Sequence, residues 1–116
     1  MRCRVGWVAL ASLLLGCSRR ALPEDARAVY DLRCAPCHGA SGRGDGPAAS
    51  GLKPVPRDLG DPAWQDRTND AYLRKIIVNG GLGVGLSTRM PGSPDLAEHP
   101  ATLDGLVQVV RGFRRP

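Results

Sequence analysis

Between Cys34 and His38 the chain reads "CAPCH", two thiols and an imidazole within five residues. The whole sequence has 4 cysteines and 2 histidines, so half of each is gathered in this stretch. Three chemistries use these groups at this spacing. Thiolates and imidazole are zinc ligands. A C-x-x-C pair can cycle between dithiol and disulfide. Two thiols followed at once by a histidine can hold a haem covalently.

The remaining residues weigh on that choice. A closed zinc site needs four ligands, but His99 stands alone in "AEHPA" and the other cysteines, Cys3 and Cys17, fall in an N-terminal export segment. A thioredoxin-like C-x-x-C follows a strand and opens an alternating βα pattern, whereas a helical pattern leads into Cys34. The haem spacing has a direct chemical reading. Thiols one helical turn apart can add to the two vinyl groups of one porphyrin edge, and the adjacent His38 turns its imidazole to the iron. The iron then needs a sixth ligand. Met90, in "TRMPGSP", is the only methionine besides Met1, and Pro91 and Pro94 stiffen its backbone. A thioether is a soft ligand suited to haem iron, which favours Met90 as ligand over core filler; His99, Lys53 and Lys75 are the other candidates. No residue is assigned a catalytic role.

The N-terminus reads as an export signal, with Arg2 and Arg4 ahead of an apolar run from Val5 to Leu15. That run is too short to span a bilayer comfortably. It ends in "LLGC", which resembles the lipobox of bacterial lipoproteins, where cleavage before the cysteine precedes lipidation of its thiol. The expected division is a signal peptide over 1–16, a lipid-anchored tether over 17–22 beginning at Cys17, and one domain over 23–116. Ser18 to Leu22 is a five-residue span, at most about 18 Å when extended, so the domain is expected close to the membrane. Cleavage removes Arg2 and Arg4, leaving 14 of the 16 basic residues against 11 acidic ones, a net of +3 in place of +5. This mild charge, with no basic face interleaved with aromatics, argues against nucleic acid as a partner. Arg111, Arg114 and Arg115 read as a solvated cationic helix end facing the dipole.

The elements that must position these groups are sparse. At 116 residues the chain holds one domain, and 4% aromatics with 15 Gly and 10 Pro cannot make a large self-sufficient core. Pro23-Glu24-Asp25 reads as the first turn of a helix that carries Ala26, Val29, Tyr30 and Arg33 into Cys34. Gly39 to Asp66, punctuated by Pro47, Pro54, Pro56 and Pro62, reads as a long ordered loop. A second helix is expected from an N-cap at Thr68, through Tyr72, Leu73, Ile76 and Ile77, to a stop at Gly80. Another Gly/Pro-rich loop runs to Pro94. A last helix, capped by Thr102, lines up Leu103, Leu106, Val107, Val110 and Phe113 on one face. No strand pattern competes. The fold class is all-α: about three helices and two long loops that must wrap something. "RGD" at Arg43 to Asp45 and "GGLGVG" at Gly80 to Gly85 are chance matches; the second follows no strand and lacks the phosphate-loop spacing.

With "VYDLRCAPCHG", "GRGDGPAASGLKPVPRDL" and "TRMPGSP" in place, the chain resembles the class I monohaem cytochrome c family from first helix to last. The resemblance implies one covalent haem c attached at Cys34 and Cys37, with His38 and Met90 as axial ligands. It implies that the Pro47 carbonyl in "GDGP" orients the His38 imidazole and that Arg57 and Trp64 neighbour the haem propionates. The family crosses its first and last helices at a glycine against an aromatic ring; here Ala26 and Val109 are expected in those places, with Tyr30 and Phe113 to compensate. The implied function is a single-electron carrier, not an enzyme, lipid-anchored in the bacterial cell envelope and facing the periplasm or exterior, with redox proteins at the membrane as donors and acceptors. The alternatives are a haem sensor or peroxidase-like enzyme with an open sixth position, and an electron-transfer subunit of a larger oxidoreductase.

Overall fold

The computed structural model describes residues 25–116. The expected signal peptide over 1–16, the Cys17 anchor, the tether to residue 22 and the Pro23-Glu24 turn lie outside the described residues. All regular structure within 25–116 is helical: α1 (Ala26–Arg33), α2 (Ala35–His38), α3 (Pro62–Arg67), α4 (Asp70–Asn79) and α5 (Pro100–Gly112), with three short 3₁₀ turns in the connections. None of these helices is long and apolar enough to cross a membrane.

Local chemistry sets each start. Asp25 caps α1 by accepting the Arg27 N–H at 3.0 Å, and an Arg27–Asp31 pair at 2.9 Å runs along the exposed face. The stretch Gly39 to Asp66 is not wholly loop, because Asp61 accepts the Ala63 N–H at 3.0 Å and Pro62 takes the first helical position of α3. A proline there gives up an N–H that has no helical partner anyway, so it starts this helix instead of preventing it. The cap of α4 is Asn69, which accepts the Tyr72 N–H at 2.8 Å, while the expected cap Thr68 closes α3. The last helix likewise starts earlier than expected, with Pro100 at its first position and Thr102 buried inside it.

α5 packs on both α1 and α4. Val29 and Tyr30 of α1, Leu73 of α4, Leu59 and Leu96 from the connections, and Leu106, Val107 and Val110 of α5 form the buried cluster. Where α5 crosses α1, the residue that meets Ala26 is Gly105 and not, as expected, Val109: a Cβ on Gly105 would stand 2.6 Å from that of Ala26. The crossing is therefore small against small, and Val109 packs at the margin of the core. The aromatic contribution comes from Tyr30 within α1 and Phe113 just after α5, whose rings lie 5.0 Å apart.

The arginines of the tail are largely solvated, as expected, but each is also tied to a partner. Arg111 donates to the carbonyls of Gln65 and Thr68, to the Gln65 side chain and to Asp70. Gln65, itself buried, donates to the carbonyls of Leu59 and Val110 at 2.7 and 2.8 Å. Arg114 pairs with Asp66 and Arg115 with Asp58. Arg111 stands in the last turn of α5, where a cation suits the helix dipole, and the three cations also fasten α5 to α3, to the start of α4 and to the connection before α3.

Candidate functional site

Cys34 ends α1 and begins α2. The Cys37 and His38 N–H groups both return to the Cys34 carbonyl, at 3.2 and 2.8 Å. Cys34, Cys37 and His38 thus occupy positions i, i+3 and i+4 of one helical turn and share a face. Both thiols are free and half-buried. Burial pushes the Cys34 thiol up to about 11, the opposite of the lowered value that makes a dithiol a redox catalyst. No cluster of three or more His, Cys, Asp or Glu side chains suited to a metal ion exists among the described residues.

The His38 ring is oriented from outside its helix. Its Nδ1 lies 3.0 Å from the carbonyl oxygen of Arg57. A carbonyl only accepts, so Nδ1 carries the proton and Nε2 keeps its lone pair for a metal. Burial lowers the imidazole's tendency to protonate, with the Arg57 carbonyl opposing in part; a neutral ring is the form that ligates. The carbonyl is that of Arg57 and not, as expected, that of Pro47. Pro47 opens a 3₁₀ turn just after Gly46, whose N–H donates to the Cys37 carbonyl at 3.1 Å. Gly46 lies so close to the Ala35 and Pro36 carbonyls that no side chain fits there. "GDGP" therefore packs against α2, while "KPVPRD" supplies the acceptor.

Arg57 and Trp64 share a polar pocket of about 340 Å³ with Arg67, Thr68, Asn69 and Tyr72. Two guanidinium groups beside a Tyr, an Asn and a Thr suit carboxylate groups. Sequence reasoning found two of these six. The others flank the α3–α4 junction, and their convergence depends on α3, which periodicity did not reveal. A second, more apolar cavity of about 550 Å³ is bounded by Gly44 to Gly46 and by Ala49, Leu52 and Val55.

Met90 lies half-buried in the other long connection. Its backbone is tied to the end of α4: Gly81 N–H donates to the Met90 carbonyl at 3.0 Å, and Ser93 N–H donates to the Ile77 carbonyl at 2.9 Å. Gly80, at φ +72°, approaches the Met90 carbonyl so closely that a Cβ would stand 2.7 Å from it. His99 and Lys53 are exposed, as is Lys75 on α4.

These residues fit a covalent haem. Two thiols and a lone-pair nitrogen share one face, a polar pocket suits the propionates, and Val55, Leu82 and Leu86 stand 72, 70 and 56% exposed on the two connections, apolar surface that a porphyrin is suited to cover. When bound, haem supplies one-electron chemistry at its iron.

The family model described as "Cytochrome c" matches residues 23–104. A solved structure titled "KustC0563 c-type cytochrome" is 27% identical, with a TM-score of 0.58, over 78% of this chain and 99% of that one. No curated protein matches the chain. The family match runs unbroken through the thiol turn, the Arg57 carbonyl that orients His38 and the Met90 connection; the chain belongs to the cytochrome c family and carries one covalent c-type haem.

Proposed function

We propose that this haem protein is a dedicated one-electron carrier whose iron is held between His38 and Met90, and that Cys17 tethers it by lipid to a membrane of the bacterial envelope. Family membership supports haem-based electron transfer as the activity. The observation that carries the finer reading is the restraint on Met90. A ligand loop must return its sulfur to one place in both oxidation states, and the Gly81 and Ser93 hydrogen bonds, with Gly80 seated against the Met90 carbonyl, restrain that backbone at the end of a helix. His38 is restrained in the same way by the Arg57 carbonyl. His38 and Met90 on anchored backbone would hold the haem iron with no open position for small molecules and would leave little to rearrange on electron transfer. Arg57, Trp64 and their pocket neighbours take the propionates.

The test is spectroscopic. The oxidised protein should be low-spin with the weak far-red band of sulfur-to-iron ligation, voltammetry should show one reversible one-electron wave, and the reduced protein should leave carbon monoxide unbound at neutral pH. Ready uptake of carbon monoxide would place a sensor or peroxidase-like enzyme ahead of the carrier.

The anchor rests on the "LLGC" stretch. Arg19 and Arg20 beside it add attraction to anionic headgroups, about 1 kcal/mol each near the surface. Redox proteins at the membrane are then its donors and acceptors. Cys17→Ser should move the protein from the membrane fraction to the soluble fraction with its haem spectrum unchanged; wild type found lipid-free and soluble refutes the tether.

A further inference from the structure

The acceptor for His38 is a backbone carbonyl on a connection with no regular structure, so something must hold it. The residue after Arg57 is Asp58, whose two carboxylate oxygens receive Arg115 Nη1 and Nη2 at 3.0 and 2.6 Å. Arg115 is itself placed by its backbone N–H, which donates to the Gly60 carbonyl at 3.1 Å. Asp58 Oδ1 also accepts the Gly60 N–H at 2.9 Å. Around this fork, Leu59 N–H donates to the Gly42 carbonyl at 2.6 Å and Gly44 N–H to the His38 carbonyl at 2.7 Å. Gly44 also lies too close to the Pro56 carbonyl to bear a side chain. The bidentate ion pair thus joins the C-terminal tail to the Arg57 connection, and that connection is bonded in turn to the strip of chain after the thiol turn.

We infer that Asp58 and Arg115 are positioning residues for the proximal ligand: their ion pair fixes the Arg57 carbonyl against His38 Nδ1 and so sets how strongly the imidazole donates to iron. The inference rests on His38 being that ligand. A carbonyl held on the Nδ1 proton draws it away, makes Nε2 a better donor and favours ferric iron. When the fork is lost, the carbonyl drifts, the Nδ1 proton exchanges faster and the reduction potential rises. An exposed ion pair contributes little to stability; its effect here falls on geometry.

The experiment uses haem-loaded protein carrying Arg115→Met, Asp58→Asn or Arg115→Lys, with Arg114→Met as control. Arg114 belongs to the same tail and pairs with Asp66 at 3.0 Å, but Asp66 does not adjoin Arg57. Two quantities are read: hydrogen exchange of the His38 Nδ1 proton by NMR in the reduced protein, and the reduction potential. Arg115→Met and Asp58→Asn should speed exchange at least tenfold and shift the redox equilibrium toward ferrous by a few-fold, less than the 59 mV of a tenfold change for one electron. Arg115→Lys should fall between, and Arg114→Met should match wild type. If Asp58 and Arg115 variants exchange like wild type, or Arg114→Met moves both readouts equally, the inference is overturned. Should Arg115→Met fail to load haem, Asp58→Asn, which keeps an oxygen for the Gly60 N–H, decides alone. The ligand assignment is checked separately in wild type, because a His38 ring bound to iron shows large ring-current shifts; their absence refutes the ligation, and their presence with unmoved variants refutes only the positioning role.

Discussion

Replacing Cys34 and Cys37 together with alanine should abolish acid-stable haem and leave a chain without its helical fold. The first effect follows from the bond. A thioether survives acid and organic extraction, whereas a haem held only by packing and axial ligands is extracted. The second follows from what the core contains. The largest fully buried side chains are Tyr30, Leu96, Leu106 and Val107, on α1, α5 and the connection before α5. From Gly39 to Asp61 the described structure has only one 3₁₀ turn, with Ala49 and Leu59 as its buried apolar residues. Such a segment stays ordered only against a partner, and ordering costs about 1–2 kcal/mol per residue in backbone entropy. The three longest helices are 8, 10 and 13 residues long, at or below the length that is marginal in isolation. The double variant should therefore lose most of its far-UV helical signal and the two-state unfolding transition of wild type, while a single Cys→Ala variant keeps haem on one thioether with a shifted reduced spectrum. A folded, helical, haem-free double variant would show that the protein core suffices alone.

What could be read from residues, and what could not, follows from the range of each interaction. The turn from Cys34 to His38 was legible because its chemistry is local: i, i+3 and i+4 positions share a face whatever surrounds them. The apolar face of α5 was legible by period, since Leu103, Leu106, Val107 and Val110 are all buried. The acceptor for His38 was not, because it lies 19 residues away and is a main-chain atom that any residue type provides. The partners of the tail's charges are hidden from the sequence in the same way. Arg111 and Arg115 reach partners 41 to 57 residues distant, and nothing near them in sequence marks those partners. The crossing at Gly105 was missed because a glycine inside a helix costs about 1 kcal/mol and draws attention only when its neighbour is seen. α3 does carry a local signal, Asp61 followed by Pro62, but Pro47, Pro54 and Pro56 ahead of it give the stretch the composition of a loop.

The second large effect belongs to Met90. Met90→Ala removes the one side chain in its connection with a soft donor, and neither Thr88 nor Ser87 offers a comparable ligand. The far-red band should vanish, and carbon monoxide and cyanide should bind where wild type resists them. Water or a nitrogen base then takes the position. Either donates more strongly than a thioether and favours ferric iron, so the potential should fall by on the order of 0.1–0.3 V, within the roughly 0.8 V that axial ligands control. Lys53, Lys75 and His99 are all exposed, so a nitrogen ligand from the chain would have to be drawn inward; at neutral pH water or an added small ligand is the expected occupant. Stability should change less than in the double cysteine variant, because the backbone bonds from Gly81 and Ser93 do not involve the lost side chain. The fall in potential and the gain of ligand binding must come together, since both express one vacated position. A Met90→Ala protein with an unchanged spectrum and potential would show that the sulfur never reached the iron, and the exposed nitrogen donors would become the ligands to examine.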